Sequence, residues 1–112
     1  MRVMQELEFR EFNHALVEAM DEVIGEMLGR KVLKSLYTAL ETHYDVTKDE
    51  IPYRIETAYK ILKDVFGVQG STTISNSIVR RLYQKLGLDF EEIAGIRLME
   101  YVEIAKRKLA TK

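Results

Sequence analysis

Apolar residues recur every three or four positions along almost the whole of this chain, and nowhere do they alternate for long with polar ones. Phe9, Phe12, Leu16, Met20, Val23 and Met27 keep that spacing. So do Leu33, Leu36, Tyr37, Leu40 and Tyr44, then Ile55, Tyr59, Leu62 and Phe66, then Ile78, Leu82 and Leu86, and finally Leu98, Tyr101, Val102, Ala105 and Leu109. Three- and four-residue spacing places side chains on one face of an α-helix, whereas a half-buried strand needs period two. No Asn-Gly or Asp-Gly pair offers a tight hairpin turn. The pattern predicts an all-α fold, a compact bundle of about five helices with a long helix at its N-terminal end.

Glycines and caps divide the pattern. The first helix is expected over 5–24, ended or kinked by Gly25 or Gly29, since glycine takes left-handed cap geometry at little cost. The second is expected over 30–44, with His43 at its end, followed by a turn over 45–49. Asp49 is placed to cap a third helix over 50–66, with Pro52 in its first turn, where a missing N–H is harmless. Gly67 would end that helix, and 67–72 would form a turn. A fourth helix over 73–86 is stopped by Gly87. Asp89 then opens the last helix, with Glu92 at capping-box spacing, and Gly95 kinks it or sets off a lead-in turn. Lys106, Arg107 and Lys108 suit the dipole at its C-terminal end. With no internal repeat and no linker, residues 1–112 read as one domain, a helix over 1–27 followed by a core helical domain over 28–112.

At 112 residues, 46% hydrophobic and 31% charged, the chain can bury one core and is expected to be globular rather than disordered. It has no cysteine, which excludes disulfides, thiol nucleophiles and thiolate metal sites. No apolar run reaches the roughly 20 residues of a membrane-spanning helix. The opening stretch MRVMQELEFREF carries acids where a signal peptide has its apolar core. An intracellular, cytoplasmic protein without membrane contact is the expectation. The net charge of −1 hides an asymmetry. Residues 1–50 hold 6 basic and 11 acidic side chains, and residues 51–112 hold 11 basic and 7 acidic. Opposite charges of this kind are satisfied within one fold, across a symmetric dimer, or by an acidic partner.

The stretch GVQGSTTISNSIVRR, residues 67–81, is the one place that suggests ligand chemistry. A Walker loop would need a lysine after its glycines, and a dinucleotide-binding loop would need a preceding strand. Neither is present. Two readings are left. Free N–H groups at the start of the fourth helix could hold an anion with Thr72 or Thr73, aided by Arg80 or Arg81. Alternatively Ser71, Thr72 or Thr73 merely caps the helix while Gly70 permits the turn. Arg80, Arg81 and Lys85, joined by Arg97, make a basic strip that an alternative function, nucleic-acid or small-anion binding, would use. Intramolecular pairing of the strip with the acidic first two helices competes with that alternative. His14 and His43 lack metal-site spacing. The carboxylate pairs Asp21-Glu22, Asp49-Glu50 and Glu91-Glu92 are adjacent residues, which do not face each other on a helix. No nucleophile, base and orienting group can be named, so catalytic residues, metal and cofactor are all expected to be none.

Leu28-Gly29, the helix through Leu40-Glu41, the turn before Ile51, and then Phe66-Gly67, Ile78, Leu82-Tyr83 and Leu86-Gly87-Leu88 together resemble the Nitrosopumilus output domains. These are small archaeal helical domains appended to signalling proteins or standing alone. The resemblance covers roughly the last three quarters of the chain. Its matched positions are glycines and apolar residues, so it implies a fold and a signalling context and transfers no catalytic residue. The expectation for function is therefore a protein-interaction or signalling-output module. Phe9, Phe12, Leu16 and Met20 of the first helix are the candidates for docking on a second copy in a homodimer. The competing reading is that this stripe closes the protomer's own core. Tyrosine and methionine, common at interfaces, are well supplied.

Overall fold

In a computed structural model, which describes residues 2–110 and the side chains from residue 9 onward, every regular element is helical. Residues 1, 111 and 112 lie outside it. The long helix α1 spans Arg2–Leu28 and α2 spans Arg30–Tyr44. A short 3₁₀ helix covers Lys48–Tyr53, α3 spans Ile55–Leu86 with a break at Gly67, and α4 spans Leu98–Ala110. Counting the arms of α3 separately, 55–66 as α3a and 68–86 as α3b, this is the expected bundle of five helices.

α1 is the spine. It packs against α2, the 3₁₀ turn, α3 and α4. Its core positions Phe12, Leu16, Ala19, Met20, Val23 and Ile24 recur at three- and four-residue spacing and form one broad apolar stripe. Leu36, Leu40, Val46, Ile51, Leu62, Ile78, Leu82, Leu98 and Val102 complete the core around it.

The corners are tighter than the glycine pattern suggests. α1 and α2 are joined by Gly29 alone, at φ 94° and ψ 161°. Gly67 sits at φ 77° and ψ 178°. Both lie in a backbone region that is essentially closed to residues bearing a Cβ. The chain therefore turns a corner in one residue, and α3b begins at once at 68 rather than at 73. Gly70 has a different role. A Cβ there would fall 2.9 Å from the Cβ of Phe66, so Gly70 provides the clearance that lets the two arms fold close together.

Two caps differ from expectation. Thr47, not Asp49, opens the segment before α3. Its N–H and its hydroxyl both donate to Glu50 Oε1 at 2.9 Å. Thr47 with Glu50 three residues on is a better capping pair than Asp49 can form, and it yields a 3₁₀ turn holding buried Ile51 and Pro52 against α1. Asp89 and Glu92 start no helix. Residues 88–97 form an irregular strap, and α4 begins only at Leu98, where Glu100 Oε1 accepts from Arg97 N–H at 2.9 Å. Tyr101 holds the strap down. Its hydroxyl donates to Ile93 O at 3.0 Å and accepts from Ile93 N–H at 2.9 Å. Phe90 packs edge-on against Tyr83 and tilted against Tyr101.

Candidate interaction surfaces

Three of the four residues proposed for a homodimer contact face inward. Phe12 and Leu16 are 0% exposed and Met20 is 2% exposed. Side chains so enclosed cannot meet a second copy without opening the core, so the stripe serves the protomer. Phe9 is the exception, 46% exposed one turn earlier.

The anion reading of 67–81 also fails on geometry. Because α3b starts at 68, Thr72 and Thr73 stand one turn inside the helix. Their hydroxyls donate back to Val68 O at 2.8 Å and Gln69 O at 3.0 Å, and Ser71 donates to Val68 O at 3.0 Å. These are back-bonds within a helix, which hydroxyl residues make readily beside a bend. They leave neither a cap nor an anion cradle.

The basic strip is neutralised from within. Arg81 grips Glu22 at 2.8 Å and Glu26 at 2.9 Å. Lys85 bridges Glu18 at 2.7 Å and Glu22 at 2.8 Å. This ladder fastens α1 to α3b across more than fifty residues of sequence. Hydrogen bonds from Lys85 hold the Glu18 and Glu22 carboxyls below their ordinary value, and Arg81 does the same for Glu26. In return the Lys85 ammonium and the Arg81 guanidinium are pushed up by those carboxylates. Arg80 pairs with Glu92 of the strap at 2.7 Å and lies over the Phe90 ring. Arg97 does not reach the strip. It lies beside Glu100 and lines a cleft with Glu56, Tyr59 and Lys63 of α3a. No continuous positive surface joins the four.

A depression of about 780 Å³ forms a trough between α1 and α2. At its floor the Tyr37 hydroxyl donates to Asp21, whose other oxygen pairs with Lys48 at 2.8 Å. Burial, and then this bond to Asp21, raise the Tyr37 pKa well above its ordinary value. Glu22 and Glu26 on the rim are taken by Arg81. Asp21, Glu22 and Glu26 are thus committed to the fold, while Glu41, also on the trough, is exposed. His14 is exposed with Glu18 at 3.3 Å, and among the described residues no three metal-binding groups converge. No described helix is long and apolar enough to cross a membrane.

The opposite side of α2 differs. There a groove of about 370 Å³ is lined by Lys31, Val32, Ser35, Leu36, Ala39 and Val65. Val65 is 58% exposed, and Val68, just past the Gly67 corner, is 62% exposed. A second shallow groove continues from it across Lys34, Thr38, Thr42 and His43. Among the described residues no ion pair engages Arg30, Lys31 or Lys34. Sequence reasoning missed this face. Its signal was the run Arg30-Lys31 with Lys34 one turn on, inside the half of the chain that is acidic overall.

No protein-family model, no curated protein and no solved structure matches this chain. The class that the fold establishes is a small, compact all-helical domain.

Proposed function

We propose that this domain is a protein-interaction module whose docking face is the outer side of α2 together with the Gly67 corner. The observation that carries the proposal is an open apolar groove walled by exposed Val65, with Lys31 and Lys34 along it, two cations that form no ion pair among the described residues. Apolar surface rimmed by charge is the usual composition of a docking site. The occupant we propose is an acidic helix with an apolar stripe, which would lay that stripe along the groove and set its carboxylates against Lys31 and Lys34. A second copy of this chain fits less well, because an isologous contact would set this cation-rimmed patch against the same patch of the partner. A signalling-output role in the cytoplasm, as the resemblance to the Nitrosopumilus output domains implies, agrees with a domain that works by contact rather than by bond chemistry.

The test uses a synthetic helical peptide with leucines at three- and four-residue spacing and glutamates elsewhere, titrated calorimetrically. Binding is expected, weakening as salt rises. Val65→Glu and Lys31→Glu should each abolish it while leaving the circular dichroism unchanged, since both sites are exposed. Light scattering should give the monomer mass of 13.0 kDa. Failure to bind the peptide would overturn the reading, as would a stable dimer that Val65→Glu disrupts, which would make the occupant a second copy.

A further inference from the structure

A separate cavity, at the far end of α1, brings together side chains from three separated segments. Phe9, Arg10 and Asn13 come from the second and third turns of α1, Tyr53 ends the 3₁₀ turn, and Lys106 comes from the last turns of α4. Together they line a space of about 380 Å³.

Two features set it apart. Tyr53 is 75% exposed, more than any other large apolar or aromatic side chain of the described residues, yet its position is fixed. Its hydroxyl accepts a hydrogen bond from Asn13 Nδ2 at 3.0 Å. Phe9 is exposed on the same cavity, and the two rings do not stack on each other. The ring contacts of the described residues are Tyr83 with Phe90 and Phe90 with Tyr101. Two exposed aromatic walls therefore face one space without filling it. The second feature is charge. Among the described residues the lining holds two cations, Arg10 and Lys106, and no carboxylate, and neither cation forms an ion pair. Lys106 lies over the face of buried Phe12 at 5.5 Å, so its ammonium is held near the cavity.

Aromatic faces accept planar rings by stacking, and cations beside them accept phosphate. Their combination is the working chemistry of sites for bases carried on a phosphodiester or phosphomonoester. We infer that the Phe9–Tyr53 cavity binds a nucleobase with its attached phosphate, the ring stacking on Tyr53 and Phe9 and the phosphate lying between Arg10 and Lys106. Its volume suits one nucleotide. The same chemistry comes from a free nucleotide or from a single strand. This site shares no residue with the α2 face, so it stands or falls independently of the docking function.

The experiment is a titration of the isotope-labelled chain, followed by NMR, with adenosine monophosphate, adenosine, inorganic phosphate and a single strand of about eight adenylates. Adenosine monophosphate should move the resonances of Phe9, Asn13, Tyr53 and Lys106. Adenosine and phosphate alone should each bind about tenfold more weakly or worse. Tyr53→Ala and Lys106→Gln should each weaken binding by about tenfold, with an unchanged circular dichroism spectrum, and Tyr53→Phe by less, since it loses only the tether to Asn13. A strand that binds tighter than the mononucleotide and is sharply salt-dependent identifies nucleic acid as the source. Equal affinities identify the free nucleotide. The inference is overturned if neither ligand moves these resonances, if phosphate alone binds as well as the nucleotide, or if Tyr53→Ala leaves the affinity unchanged.

Discussion

α1 and α2 are adjacent helices joined by a single glycine, and they direct their side chains in opposite ways. α1 sends its apolar residues into the core and its carboxylates Glu18, Glu22 and Glu26 onto α3b. Its central turns are engaged both by the core and by α3b. α2 buries Leu33, Leu36 and Leu40 but keeps an outer face with a groove and two cations, Lys31 and Lys34, that form no ion pair among the described residues. A helix read as an interface element because it is long, apolar and acidic turns out to be structural. The shorter one, with a less conspicuous sequence, holds the open surface. The difference teaches that interaction surfaces are found where contacts are left unmade, and that the residue types themselves do not reveal where that is.

The strongest way to break the comparison is to weaken α1. Leu16→Ala removes a side chain with no exposed surface from the middle of the spine, and truncations of this kind cost about 2–5 kcal/mol. The midpoint of urea unfolding should fall accordingly, and no change of oligomeric mass should precede unfolding. Phe12→Glu should be worse still, because a carboxylate in the core has no partner. If either variant instead stayed folded and merely changed mass on light scattering, α1 would be an interface helix after all.

The next effect concerns the corner that sets α3a against the α2 groove. Gly67→Ala puts a Cβ where nothing lies within 4 Å, so the penalty is conformational alone. A non-glycine residue in this region costs about 1–3 kcal/mol, which thermal unfolding would register. A variant as stable as the parent would mean that the helix can run through residue 67 without the corner. The groove beside Val65 should then change shape, and Gly67→Ala should bind the acidic peptide differently.

Periodicity was sufficient for the architecture. The helical class, the number of helices and the breaks at Gly67 and Gly87 were legible, because apolar spacing and glycine act locally, while the pattern leaves the first break open between Gly25 and Gly29. The caps were harder. Asp49 and Thr47 are both good capping residues, and the reach of Glu50 decides for Thr47. The strap over 88–97 read as helix because Asp89 and Glu92 have capping spacing. The aromatic packing of Phe90 on Tyr83 and Tyr101, together with the hydroxyl of Tyr101 on Ile93, holds it in another shape, and those contacts are tertiary. Charge was legible as a total and illegible as a surface. Nothing in the order of residues says that Arg81 meets Glu22 and Glu26 while Lys31 meets no carboxylate. The cavity at Phe9, Tyr53 and Lys106 was invisible for the same reason, since its walls come from three separated segments.

The smallest expected effect separates the engaged charges of α1 from the open charges of α2 by pH. The Glu18, Glu22 and Glu26 carboxyls are held below their ordinary value of 4.5 by Lys85 and Arg81. A depressed carboxyl stabilises the fold above its unfolded pKa, and that stability disappears as pH falls through the lower folded value. Stability should therefore be flat near neutrality and decline below about pH 4.5. At the alkaline end the signs reverse. The raised Lys85 contributes while it is charged and loses its share as pH climbs past 10.5 toward its higher folded value. All these groups are at the surface, so the acid decline should be modest and shallower in about 1 M salt. Glu22→Gln, which removes the carboxylate shared by Arg81 and Lys85, should flatten the acid limb of a plot of melting temperature against pH. Lys31→Gln on α2 should leave that limb unchanged, because no carboxylate partners it. An equal response from the two variants would mean that the ladder is no more engaged than the open face, and the contrast between the two helices would have to rest on packing alone.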